Sequence, residues 1–101
     1  MIVAGSNYLS TGGVAYGVSQ IIVHTGYTPY VNDIALLRVN GAIGYGTKVQ
    51  PIGLASSVTS AGVQALLSGW GLTSYPGQQP NALQYIYLNT ITVQQCQSAL
   101  A

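Results

Sequence analysis

No apolar run in this chain lasts more than about nine residues before a glycine, a proline or an Asn-Gly pair interrupts it. Ser19 to Val23, Ile34 to Val39, Gln64 to Ser68 and Leu83 to Ile91 are the strongest runs. Between them lie Gly26 and Pro29, then Asn40-Gly41, then Gly44, Gly46, Pro51 and Gly53, and finally Gly69, Gly71, Pro76, Gly77 and Pro80. Such runs have the length of strands, and most are too short to make a packed helix. Glycine and proline both weaken helix interiors, so the breakers fix the spacing as well as the type. The rhythm predicts an all-β fold of short strands, with Ile2 to Ala4 as a strand stub and Ala42 to Ser60 as an extended connector. One helix is expected, at the C-terminal end. There Thr92 is placed to cap it and Gln95, three residues on, completes a capping-box pattern.

The charge count narrows the function classes. Asp33, Arg38 and Lys48 are the only residues charged at neutral pH, with His24 as a fourth titratable site, and the formal net charge is +1. A globular domain ordinarily carries charge on about a quarter of its residues. Half of this chain is apolar, which excludes a disordered, highly charged segment. Two separated basic residues cannot neutralise a phosphate track, so no nucleic-acid partner is expected. No run is long enough to span a bilayer, so no membrane partner is expected either. Chains with so little net charge hardly repel one another, which favours association between copies.

Four segments, in order, carry a family resemblance. The first is Ile2-Val3-Ala4-Gly5, followed by Ser10 to Tyr16 and by Ile21-Ile22-Val23-His24-Thr25-Gly26-Tyr27. The second is Asn32-Asp33-Ile34-Ala35-Leu36-Leu37-Arg38. The third is Val49-Gln50-Pro51-Ile52-Gly53-Leu54. The fourth is Ser68-Gly69-Trp70-Gly71, then Pro80-Asn81-Ala82-Leu83-Gln84, then Cys96. Each is weak alone, but their ordered combination resembles the chymotrypsin-like (trypsin-like) serine proteases and covers nearly the whole chain. The resemblance implies part of a double β-barrel. Residues 1–41 would belong to the N-terminal barrel, 42–63 to the interdomain connector and 64–101 to the C-terminal barrel. It also implies an extracellular location and a peptide or protein substrate. The family's histidine motif would precede Ile2 and its serine motif would follow Cys96, so an internal fragment without either is expected.

Asp33 is the one carboxylate, and the resemblance gives it the role of the acid that orients a catalytic histidine. The alternative role is local: an aspartate that ends a loop by accepting bonds from nearby backbone N–H groups. His24 falls in a stretch that resembles a non-catalytic surface segment and has no companion ligands, so neither a triad histidine nor a metal site is expected there. No cofactor is expected. Cys96 matches a family cysteine whose partner comes later in the family pattern, and it is either a free thiol or an intermolecular partner. Trp70, between two glycines, reads as a core anchor. Tyr85 and Tyr87, two apart, would share one strand face in half-buried packing.

Two functions follow as expectations. The first is part of a chymotrypsin-type serine endopeptidase, inactive as an isolated chain and partnered by complementary protease segments. The alternative is a self-associating extracellular β-rich protein derived from a protease, whose partners are copies of itself.

Overall fold

A computed structural model of the chain describes residues 1–100. It contains six strands and one helix in the order β1 (Ile2–Ala4), β2 (Val14–Tyr16), β3 (Val18–Val23), β4 (Ala35–Val39), β5 (Gln64–Gly69), β6 (Gln84–Asn89) and α1 (Val93–Leu100). The fold is a mostly β one with a single short helix, as the alternation of apolar runs and breakers dictates. The strands pair as three antiparallel two-stranded sheets, β1 with β2, β3 with β4, and β5 with β6. Residues Ala42 to Val63 form no regular element.

The contacts divide the chain into two units. The first comprises Met1–Ser6 and Thr11–Pro51, with β1 to β4. The second comprises Asn7–Ser10 and the residues from Ile52 on, with β5, β6 and α1.

In the first unit, β2 ends and β3 begins on either side of Gly17. The Asn40 amide donates to the Gly17 carbonyl at 2.8 Å, and a Cβ at Gly17 would meet Asn40 Nδ2 at 2.8 Å. A side chain at residue 17 would have to displace the Asn40 side-chain amide, and the register between β3 and β4 shifts beside it, between Val18 and Gln20. Beyond the shift, Ile21 faces Leu37 and Ile22 faces Leu36. Successive side chains alternate, so Ile21 and Leu37 lie on one face and Ile22 and Leu36 on the other. Both faces of this hairpin are therefore apolar.

In the second unit, the β5–β6 register opposes Ala65 to Leu88, Leu66 to Tyr87 and Leu67 to Ile86. One face carries Leu66, Tyr85 and Tyr87, and the other Leu67, Ile86 and Leu88. Tyr85 and Tyr87 do share a face, with ring centroids 6.1 Å apart and planes at 81°, but both are exposed rather than half-buried. Trp70 is half-buried and donates its indole N–H to the Asn7 carbonyl at 3.2 Å, so it anchors a loop and not a core. The Asn7–Ser10 segment runs antiparallel to 81–83: Leu9 donates to the Asn81 carbonyl, Leu83 donates to the Asn7 carbonyl, and Ser10 donates to Asn81 Oδ1.

The expected capping box forms. Thr92 Oγ1 accepts from the Gln95 amide at 3.0 Å and Gln95 Oε1 accepts from the Thr92 amide at 2.9 Å. An eight-residue helix is marginal without such help. Thr92→Ala is expected to cost the helix about 1 kcal/mol, read as faster amide exchange across 95–99.

Among the described residues, none is buried. Ile21 and Leu36 are each 66% exposed on opposite faces of their hairpin. Two-stranded sheets whose faces nothing covers cannot make a core, whatever their hydrophobic content.

Candidate functional site

The segment that carries Asp33 is the connection from β3 to β4, residues 24–34. Its tip is a tight turn in which Thr28 and Val31 exchange both backbone hydrogen bonds, at 3.1 and 2.9 Å. Pro29 supplies the fixed φ of the first central position, and Tyr30 takes φ +68° at the second. A positive φ at that position is ordinarily left to glycine, so the turn holds Tyr30 against its preference. Asn32 is also left-handed, at φ +52°, a conformation that asparagine tolerates better than most residues.

Asp33 follows immediately. The Ile34 amide donates to the Asn32 carbonyl at 2.9 Å, which places Asp33 at the centre of a three-residue turn. Its side chain is exposed, and its carboxylate takes no hydrogen bond among the described residues. The local role, an aspartate that accepts from nearby backbone N–H groups, is thus not the geometry adopted.

His24 sits at the other end of the same loop. Its backbone N–H donates to the Ile34 carbonyl at 3.2 Å and its carbonyl accepts from Tyr27 at 3.0 Å. Its Nδ1 accepts from the Gly26 amide at 2.9 Å. A triad histidine must donate from Nδ1 to its aspartate. In His24 that nitrogen is already an acceptor, so the ring is turned to the loop backbone and has no Nδ1 proton to give Asp33. Proximity in sequence brought the two together, but not as acid and base.

Cys96 is an exposed free thiol on α1. No group of three or more His, Cys, Asp or Glu able to hold a metal occurs among the described residues. An open hollow in the second unit, about 520 Å³, is walled by Leu67, Gly69, Leu72, Gln84 and Ile86 among others. It contains neither a nucleophile–base pair nor a charged group, so it offers shape without reactivity. Among the described residues, no helix is long and apolar enough to cross a membrane. Sequence reasoning named Asp33 as the candidate but gave no sign of the hydrogen bonds that Gly26 and Asn32 make, which no spacing rule encodes.

Comparison with known proteins bears on what such a loop is for. The trypsin family model matches residues 2–101. Trypsin delta and trypsin gamma of Drosophila melanogaster are each 44% identical over 99 residues, an alignment that covers 95% of this chain and 39% of each relative. Trypsin alpha-4 of Lucilia cuprina is 36% identical over 97 residues, covering 94% of this chain and 38% of the relative. The chain thus spans about two fifths of the length of the curated relatives it matches.

Proposed function

The chain belongs to the trypsin family, and on that premise we propose that it supplies Asp33 as the orienting acid of a secreted serine endopeptidase. The observation that carries the reading is the Asn32–Arg38 segment, whose aspartate stands exposed at the entry to β4 within a family match spanning nearly the whole chain. In acyl transfer the nucleophile's proton passes to a histidine, and the buried charge on that imidazolium is stabilised by a carboxylate bonded to its Nδ1–H. Asp33 has the free carboxylate this needs. The histidine, the serine and the oxyanion donors belong to complementary protease segments, and the substrate is a peptide or protein. On this reading residues 1–41 are N-terminal barrel, 42–63 connector and 64–101 C-terminal barrel.

Residues 1–101 alone are expected to hydrolyse no peptide substrate, since one orienting acid without nucleophile, base or oxyanion hole leaves the barrier untouched. The test has two arms. One assays the isolated chain. The other sets this chain in place of the aligned segment of trypsin delta and assays that full-length chimera. The reading predicts silence in the first and peptidase activity in the second. Peptidase activity of the isolated chain that Asp33→Asn abolishes would refute the silence expected of it, and a folded but inert chimera would refute the reading.

A second reading is favoured by the surface. The accessible area is 8833 Å² for 10.5 kDa. A compact monomer of that mass exposes about 5,400 Å², and even two separate compact units of half the mass expose about 6,500 Å² together. The surplus supports a chain that must be covered by another polypeptide. Complementary protease segments are one cover, and copies of the chain in a self-associating β-rich assembly are the other.

A further inference from the structure

Three hydrogen bonds close a ring around Asp33, and the side chains in the ring are not those of the triad. The backbone N–H of His24 holds the Ile34 carbonyl at 3.2 Å, one residue after Asp33. Asn32 Nδ2, one residue before Asp33, holds the Gly26 carbonyl at 3.0 Å. The Gly26 amide returns to His24 Nδ1 at 2.9 Å. The circuit therefore runs from His24 to Ile34, back through Asp33 to Asn32, across to Gly26 and home to His24. Both polar groups of residue 26 are used, its N–H toward the His24 ring and its C=O toward Asn32.

We propose that His24 and Asn32 are positioning residues for Asp33, acting together through the two sides of the Gly26 backbone. The proposal rests on the endopeptidase reading above and deepens it. The physical need is plain. Within this chain the Asp33 carboxylate takes no hydrogen bond among the described residues, and the backbone at 32–34 sets the point from which it projects toward the complementary histidine. That backbone is not in a relaxed extended form: Asn32 is left-handed and Asp33 is the centre of a three-residue turn. A segment of this kind keeps its shape only where its neighbours over-determine it. The ring supplies that constraint from both flanks. Both side chains close on residue 26, where a Cβ would stand 3.0 Å from Asn32 Nδ2 and 3.4 Å from His24 Nδ1. His24 thus braces the loop as an acceptor at Nδ1.

The test is made in the full-length trypsin delta chimera carrying this chain. His24→Leu keeps the bulk but removes the acceptor. His24→Asn restores an acceptor oxygen near the place of Nδ1. Asn32→Gly keeps the left-handed backbone but removes the donor. His24→Leu and Asn32→Gly are each expected to lower kcat by roughly 10- to 100-fold, as a displacement of about 1 Å does at a reacting centre. KM should stay unchanged, because the acid acts after substrate binds. His24→Asn should return most of kcat, which a purely steric role for the imidazole would not allow. Full kcat in both His24→Leu and Asn32→Gly, alongside a dead Asp33→Asn, would overturn the positioning role and leave the endopeptidase reading standing. Full activity in Asp33→Asn would instead remove the endopeptidase reading, and the positioning role with it. Should His24→Leu fail to fold, the Asn32→Gly result decides.

Discussion

Asp33→Asn is expected to lower turnover of the trypsin delta chimera by about 10⁴-fold, the loss known for this change in the serine-protease template. That corresponds to about 5.4 kcal/mol of transition-state stabilisation. The size follows from what an amide does beside an imidazole. Asparagine offers an N–H where the carboxylate offered only lone pairs, so the histidine is held in the tautomer that cannot take the nucleophile's proton. The imidazolium formed later also loses its counter-charge. The same substitution should barely change the stability of residues 1–101. The Asp33 side chain is exposed and without a hydrogen bond among the described residues, and exposed substitutions away from such contacts fall within about 0.5 kcal/mol. Measuring kcat and the unfolding midpoint on one pair of proteins separates the two statements. A chimera that keeps its turnover after Asp33→Asn removes Asp33 from the chemistry.

The isolated chain is expected to associate at low micromolar concentration. Both faces of the β3–β4 hairpin and both faces of the β5–β6 hairpin carry exposed aliphatic or aromatic side chains, among them Ile22, Leu36, Leu66 and Ile86. Covering each such side chain is worth about 1.5 to 3 kcal/mol, against a total stability of about 5 to 15 kcal/mol for an ordinary domain. The hairpin edges add unpaired backbone groups that invite strand addition. Charge is the usual guard, and it is nearly missing: β3–β4 has Arg38 and β5–β6 has none. The area left uncovered beyond two compact units is about 2,300 Å², against about 800 Å² per partner in a standard stable interface. Sedimentation velocity across a dilution series reads the outcome. On the endopeptidase reading, adding the complementary trypsin segments is expected to compete with self-association for these faces. A single monomeric species that unfolds cooperatively would show that the chain closes a core by itself and would end this expectation.

Much of the local structure was written in the residues themselves. Thr92 and Gln95 stand at capping-box spacing, and the helix begins where they cap it. The apolar runs at 19–23, 34–39, 64–68 and 83–91 became β3 to β6 with ends moved by a residue or two, because strand formation there needs only a neighbour one hairpin or loop away. The family and the catalytic candidate were legible for the same reason: Asn32 to Arg38 is a contiguous motif. Tertiary structure decided the rest. The break at Gly17 depends on Asn40 arriving within 2.8 Å, and the pairing of Asn7–Ser10 with 81–83 joins segments some seventy residues apart. The ring from His24 through Gly26 and Asn32 to Ile34 is local in sequence, but it exists only once β3 and β4 have paired and turned the loop back on itself. The sequence alone could list the polar groups of that loop. Which donor meets which acceptor is a matter of distances of about 3 Å, and only the folded backbone sets those.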